Sequence, residues 1–246
     1  MAMTHQATDR FALQLWEAAS RGDHERVVVA LDHGANIDWC NPSDERTPLQ
    51  IATRHGHEPI VRLLLEQGAY IDAADKYLRT PLHIATLHGH EPIVRLLLEQ
   101  GAYIDAANKN GRTALHLAAL RGFESVARLL LDRAADINAT NNANETALHM
   151  ASKQRHEAVV RLLLDRGASI NAANNDNWTS LHLAAWNDSE ALVRLLLDRG
   201  ASIDAATNDN WTSLHLAARR SHEVVVRLLL DRGADATVVS VRQGSC

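Results

Sequence analysis

Apolar and polar residues alternate along this chain in short blocks that recur at a fixed spacing. The segment RLLL, an arginine followed by three leucines, occurs six times, starting at Arg62, Arg95, Arg128, Arg161, Arg194 and Arg227. The string T-[PAS]-L-[HQ] returns with the same 33-residue period at Thr47, Thr80, Thr113, Thr146, Thr179 and Thr212. Apolar residues three and four positions apart predict a helix with one buried face. Each period therefore predicts two amphipathic helices.

The predicted helix boundaries follow from capping residues. A threonine hydroxyl accepts a hydrogen bond from a backbone N–H at a helix N-terminus. Pro48 and Pro81 follow such threonines at the first helical position, where the missing N–H of proline removes no hydrogen bond of the helix. Gly56, Gly89 and Gly122 then end the first helix after about nine residues, because glycine adopts the left-handed conformation readily. Polar stretches such as AANKNGR separate the periods and predict projecting turns.

Helices this short need neighbours. A single pair of such short helices is only marginally stable in water, so successive pairs must stack and share one apolar core. An N-terminal unit, Leu15–Asp38, aligns with Leu49–Asp72 but lacks the threonine string, as an end cap would. We predict one domain over residues 1–246, with helix pairs near 8–41, 42–74, 75–107, 108–140, 141–173, 174–206 and 207–239 and a tail at 240–246. We expect Thr237–Val241 to fold over the open face of the last pair.

The repeated segment RTPLHIATLHGHEPIVRLLLEQGAYIDAA and its sister copies resemble the ankyrin-repeat family over essentially the whole chain. The resemblance implies an all-α solenoid of seven stacked helix pairs with projecting β-hairpin-like loops. It also implies that the loops and first helices line a concave groove that binds another protein. By the same resemblance, the histidines of the threonine string hydrogen-bond between neighbouring repeats and have no ligand-binding role.

Composition narrows the class of protein. The net charge of −5 argues against a general nucleic-acid binder, and no apolar stretch is long enough to span a bilayer. Cys40 and Cys246 are the only cysteines, so we do not expect a disulfide framework. We therefore expect the protein in the cytoplasm or the nucleus. We expect a monomer without a cofactor, a structural metal or catalytic activity. His55, His57, His88 and His90 could together hold a metal in principle, but no carboxylate or thiolate accompanies them at ligand spacing.

Groove positions suggest the chemistry of the partner. The resemblance places the residue before each threonine, and those seven and eight after it, in the groove. Eight of these eighteen positions are basic and one is acidic. Basic residues with aromatic anchors predict a partner that carries an acidic segment and apolar side chains. The predicted partner-binding residues are Arg54, Tyr77, Arg79, His88, Arg112, Arg121, Lys153, Trp178, Trp186, Trp211, Arg219 and Arg220.

Three alternatives stay open. The string NDNWTSLHLAA occurs twice, and its Trp178 and Trp211 could instead brace neighbouring loops. An enzyme or small-molecule site in the groove is a second alternative, and nucleic-acid binding through the basic groove is a third. The polar groups best placed to serve an enzyme are Tyr77, His88, Lys109, Glu145 and Asp176.

Four repeats depart from the glycine pattern. Arg155, Asp188 and Ser221 replace the glycine that ends the first helix, and Ala134 replaces one that ends a second helix. These turns are expected either to hold a strained left-handed residue, at about 1 kcal/mol each, or to be rebuilt.

Overall fold

The computed structural model describes residues 2–237, with side chains from residue 10 onward, and these residues form fourteen α-helices and no strand. The helices are α1 (Ala2–Arg21), α2 (His24–Asp32), α3 (Pro48–His55), α4 (Glu58–Glu66), α5 (Pro81–His88), α6 (Glu91–Glu99), α7 (Ala114–Arg121), α8 (Glu124–Asp132), α9 (Ala147–Lys153), α10 (Glu157–Asp165), α11 (Ser180–Trp186), α12 (Glu190–Asp198), α13 (Ser213–Arg219) and α14 (Glu223–Asp231). The predicted all-α class is confirmed. α1 begins at Ala2, upstream of the predicted start of the first pair.

Capping at the first helices follows the sequence prediction. The Thr80 hydroxyl accepts a hydrogen bond from the backbone N–H of His83, and Nδ1 of His83 accepts one from the backbone N–H of Thr80. Thr47 and Gln50 form the same reciprocal pair at α3. Pro81 occupies the first position of α5, where it costs no hydrogen bond.

The chain separates into two compact units. Unit 1 comprises the chain up to Leu117 together with Asp132–Ala135, and unit 2 comprises Ala118–Leu131 and the chain from Asp136 onward. Within each unit, the first and second helices of neighbouring pairs bury leucine, isoleucine, valine and alanine against one another. The fully buried side chains include Leu49, Leu64 and Leu82 in unit 1 and Leu148 and Leu163 in unit 2.

Histidines of the threonine string link successive repeats. Nε2–H of His83 donates to the carbonyl of Arg112 at 2.9 Å, and Nε2–H of His149 donates to the carbonyl of Trp178 at 3.0 Å. His182 makes the same bond to the carbonyl of Trp211. Burial lowers the pKa of all three rings, which keeps them neutral at pH 7. The predicted hydrogen bonds between neighbouring repeats are confirmed for His83, His149 and His182.

A second set of histidines lies at the start of the second helices. Their Nε2 atoms donate to first-helix carbonyls of the preceding repeat, each at 3.2 Å. The pairs are His57 with Ser20, His90 with Arg54, His156 with Leu120 and His222 with Trp186. These bonds give the rings a structural role in stacking the repeats.

The four turns without glycine keep the left-handed backbone. The φ angles are +64° at Ala134, +62° at Arg155, +53° at Asp188 and +60° at Ser221. The alternative that these turns are rebuilt is therefore wrong. Each non-glycine residue carries a conformational cost of about 1 kcal/mol.

Two remaining expectations concern membranes and the C-terminus. Among the described helices, none combines the length and apolar character that crossing a bilayer requires. The predicted docking of Thr237–Val241 falls, beyond Thr237, outside the described residues.

Candidate partner-binding site

The predicted binding residues belong to two separate units. Those in unit 1 are Arg54, Tyr77, Arg79, His88 and Arg112. Those in unit 2 are Arg121, Lys153, Trp178, Trp186, Trp211, Arg219 and Arg220. Each unit contains one cleft that several of its predicted residues line.

The cleft of unit 2 has a volume of about 610 Å³ and is here called the tryptophan cleft. Its charged and apolar lining residues are Ala143, Glu145, Lys153, Asp176, Trp178, Leu183 and Trp186. The indoles of Trp178 and Trp186 meet edge to face, with ring centroids 5.8 Å apart and planes at 78°. Pairs of this geometry are favoured by the quadrupoles of the rings. Both indoles are half-buried, so each keeps a face or edge open to solvent.

The backbone of Trp178 is fixed on both sides of the side chain. Its N–H donates to Oδ1 of Asn174 at 2.8 Å, and its carbonyl accepts the bond from His149. The next residue, Thr179, begins the capping of α11, so the direction of the indole is set by a turn and a helix start. Trp186 is the last residue of that helix, about two turns further along, where its indole contacts that of Trp178.

Two exposed arginines cover the indoles. Cζ of Arg220 lies 4.2 Å from the ring centroid of Trp186, and Cζ of Arg219 lies 5.1 Å from that of Trp211. Both distances are within the range of cation–π attraction. Sequence analysis placed these residues in one region but did not foresee the direct contacts.

The charge of Lys153 is compensated within the cleft. Its Nζ lies 3.7 Å from Oε1 of Glu145, whose side chain is only 11% exposed. Oε2 of Glu145 also accepts a hydrogen bond from Nδ2 of Asn141. Arg219 and Arg220 are exposed and show no such carboxylate partner within residues 10–237, so their positive charge is available to a ligand.

The cleft of unit 1 is smaller, about 190 Å³, and is here called the arginine cleft. It is lined by Arg46, Arg54, Arg79, Ile84, Leu87 and His88. Nη2 and Nε of Arg79 donate to Oδ2 of Asp75 at 2.6 and 2.8 Å, and Nε of Arg46 lies 3.8 Å from the same oxygen. Nη1 of Arg46 also donates to Oδ2 of Asp44 at 2.9 Å.

Asp75 is the residue of this site that sequence analysis missed. Its side chain is 0% exposed. Burial alone would raise the pKa of this carboxyl. Hydrogen bonds from the Arg79 side chain and from the backbone of Arg79 and Tyr77 lower the pKa by more than burial raises it, so the net shift is downward. A signal was present in the sequence, because Asp75 stands where later repeats have Asn108, Asn141, Asn174 and Thr207.

Six predicted residues lie outside both sets of lining residues: Trp211, Arg219 and Arg220, described above, and Tyr77, Arg112 and Arg121. Tyr77 is 48% exposed, with Cζ of Arg79 lying 4.7 Å from its ring centroid. Arg112 is half-buried, and its Nε has no hydrogen-bond partner within the described part of the chain. Arg121 is exposed at the end of α7.

The alternative catalytic set is divided between the units. Tyr77, His88 and Lys109 belong to unit 1, whereas Glu145 and Asp176 belong to unit 2. Among the described side chains, no group of three or more histidines, cysteines or carboxylates has the arrangement of a metal site.

A family model of ankyrin repeats matches the chain in three copies, over residues 15–108, 104–174 and 170–240. No curated protein sequence gives a significant match. The threonine caps, the glycine turns and the histidine bonds between repeats account for the family match in physical terms. Since the three copies cover nearly its whole length, the chain belongs to the ankyrin-repeat family, whose members are generally protein–protein interaction modules.

Proposed function

We propose that this chain is a non-enzymatic interaction module that binds an acidic segment of a partner protein at the tryptophan cleft. The observation that carries the proposal is the contact of Arg220 with Trp186, because Trp186 lines the cleft and Arg220 is exposed beside it. Arginine and tryptophan are the residue types that most often dominate binding energy at protein interfaces. We expect the module to act as a monomer in the cytoplasm or nucleus.

The arrangement suits a carboxylate next to an apolar group. A guanidinium that lies over an indole still directs its in-plane N–H groups outward, where they can bind a carboxylate with two parallel hydrogen bonds. The edge-to-face indoles of Trp178 and Trp186 offer an apolar wall for the neighbouring side chain of the partner. Because the contact with Trp186 already restrains Arg220, less side-chain entropy is lost on binding.

Electrostatic attraction should set the rate of association. Arg219 and Arg220 are adjacent and exposed, while Lys153 is paired with Glu145. An acidic partner would be steered toward the two arginines, and this steering weakens as salt rises.

The experiment is an unbiased selection. Random peptides displayed on phage are selected on the wild-type protein, and the enriched peptides are then measured against two variants. The test variant is Arg219→Gln with Arg220→Gln. The matched control is Arg161→Gln with Arg194→Gln, which removes the same charge from exposed positions on α10 and α12, where the arginines pair with Glu157 and Glu190.

The expected peptides carry aspartate or glutamate beside leucine, phenylalanine or tryptophan. Their affinity should fall roughly tenfold or more in the test variant and stay within about twofold in the control. Enrichment of basic peptides, or equal losses in both variants, would refute the proposal. Tighter binding of single-stranded RNA than of any peptide, with steep salt dependence, would favour the nucleic-acid alternative.

A further inference from the structure

The arginine cleft of unit 1 is lined by basic and apolar side chains, with no carboxylate among the lining residues. Three of its six lining residues are arginines, one is a histidine and two, Ile84 and Leu87, are apolar. The carboxylates that pair with these arginines, Asp44 and Asp75, are not among the lining residues. A ligand entering the cleft therefore meets guanidinium and imidazole groups first.

Two of the guanidinium groups are held in place by aspartates that do not line the cleft. Arg79 uses its Nε and Nη2 to bind Asp75, so the hydrogens on Nη1 are directed away from that carboxylate. Arg46 is bound through Nη1 to Asp44, and its side chain is only 11% exposed. Such restraint lowers the entropy lost when an anion is bound.

The third arginine supplies charge that no carboxylate of the described chain compensates. Arg54 is exposed near the end of α3, and its backbone carbonyl is fixed by the bond from His90. The pKa of the neighbouring His55 reflects the positive charge around Arg54. Burial is the main cause that lowers the pKa of His55, and electrostatic repulsion from the neighbouring Arg54 and Arg46 lowers it further.

We propose that the arginine cleft binds a phosphate monoester. Three guanidinium groups around one small cleft match the three acceptor oxygens of a phosphoryl group better than the two oxygens of a carboxylate. The volume of about 190 Å³ is below the roughly 300–1,000 Å³ of sites for whole small molecules, so the cleft fits one functional group and its stem. Ile84 and Leu87 provide the apolar surface for that stem.

The test compares ligands by isothermal titration calorimetry at low ionic strength. The probes are a short peptide with a phosphoserine between two leucines, the same peptide with serine, the same peptide with glutamate, and AMP. The test variant is Arg54→Gln, which leaves the bonds of Arg46 and Arg79 to their aspartates in place. The control is Arg62→Gln, an exposed arginine of the same unit that pairs with Glu58 on α4.

We expect the phosphoserine peptide to bind at least about tenfold more tightly than the serine peptide, and Arg54→Gln to lose roughly tenfold. Arg62→Gln should match the wild type, and far-UV circular dichroism should show both variants folded. AMP binding that depends on Arg54 supports the same site and identifies a nucleotide as the source of the phosphate.

Equal binding of the glutamate and phosphoserine peptides would overturn the assignment to phosphate. Unchanged affinity in Arg54→Gln would overturn the assignment to this cleft. Neither result bears on the tryptophan cleft, since that site is tested through Arg219 and Arg220 in the other unit.

Discussion

Nδ1 of His156 lies only 2.6 Å from the position that a Cβ atom on Gly122 would occupy. The imidazole packs onto the glycine because its Nε2 donates to the carbonyl of Leu120, two residues earlier in the same turn. Gly122 also has a φ angle of +73°. Two independent requirements, left-handed backbone and absence of a side chain, therefore meet at one residue.

The repeats of unit 1 show the same pairing, and unit 2 also contains turns in which another residue replaces the glycine. Rings of His57 and His90 lie 2.8 and 2.9 Å from a Cβ at Gly22 and Gly56. Where Arg155 replaces the glycine, the following repeat has Ser189 at the position of the histidine. At Asp188, by contrast, the following repeat keeps His222, whose Nδ1 lies 3.6 Å from Oδ1 of Asp188 and whose Nε2 still donates to the Trp186 carbonyl.

Gly122→Ala should destabilise the protein more than Gly167→Ala. Both glycines have positive φ angles, +73° and +86°, but a Cβ at Gly167 would meet nothing within 4 Å. The control should therefore cost about 1 kcal/mol for the backbone alone. Gly122→Ala should cost about 1–3 kcal/mol more, because the His156 ring must move away from the added Cβ. Urea unfolding followed by circular dichroism measures both variants.

A second substitution separates sterics from backbone strain. Adding His156→Ser to Gly122→Ala places a serine opposite a residue that has a Cβ atom, as Ser189 stands opposite Arg155. The double variant should be more stable than the sum of the two single changes predicts, since the clash is absent once the ring is gone. Strict additivity would show that the contact between Gly122 and His156 does not carry the cost.

Acid should destabilise the protein through the buried histidines. Burial lowers the pKa of His83, His149 and His182 below the unfolded value of 6.5. Their contribution to stability is therefore complete above pH 6.5 and is lost as the pH falls from 6.5 through the folded pKa values. Each ring contributes a slope of up to about 1.4 kcal/mol per pH unit in that window.

His83→Gln tests this pH dependence. Gln50 occupies the equivalent position in α3, where Oε1 accepts from the Thr47 N–H and Nε2 donates to the Arg79 carbonyl at 2.9 Å. Glutamine therefore replaces the hydrogen bonds without the titration. We expect a stability close to wild type at pH 8 and a smaller loss at pH 5. An unchanged pH profile would contradict the assignment of the slope to His83.

The helices were predictable because their signals are local. Threonine caps, Pro81 and the glycine turns act within one turn of a helix, so their spacing is visible in the sequence. The left-handed angles of Arg155 and Asp188 were less predictable, since a turn that lacks glycine can be strained or rebuilt. The division into two units depends on tertiary contacts among many residues, and no short sequence motif indicates those contacts.

The two clefts were predictable only in part. The position of Trp178 before Thr179 and of Trp186 at the end of the helix indicated a common face. The pairing of Arg79 with Asp75 and of Lys153 with Glu145 depends on side-chain conformations, so a count of basic residues overstated the available charge. Spacing alone also could not show that Arg220 lies over Trp186.

Asp75→Asn should loosen the arginine cleft while preserving its turn. Oδ1 of Asp75 accepts from the backbone N–H of Tyr77 and of Arg79, and Asn108 makes the equivalent bonds in the next repeat. The neutral side chain loses its charge-assisted bonds with the Arg79 guanidinium, at a cost of about 1–2 kcal/mol. Because the pKa of Asp75 is lowered, the difference from wild type should be present above its usual value of 3.8 and vanish as the pH falls through its folded pKa. Urea unfolding at several pH values measures this difference, and one that persists in strong acid would contradict the ion-pair explanation.

The contact of Arg220 with Trp186 should appear as a coupling energy between the two side chains. A double-mutant cycle with Trp186→Leu and Arg220→Gln isolates that energy from the burial of the indole and the charge of the arginine. At a distance of 4.2 Å and an exposed position, we expect about 0.5–1 kcal/mol of favourable coupling. The pair of Arg219 with Trp211, at 5.1 Å, is the natural comparison and should show a smaller value. Both cycles are measured by urea unfolding at low and high salt, where a cation–π contact loses less energy than an exposed ion pair would. Zero coupling for Arg220 would mean that the arginine is not restrained by the indole before a partner arrives, and the entropic advantage proposed for the tryptophan cleft would be lost.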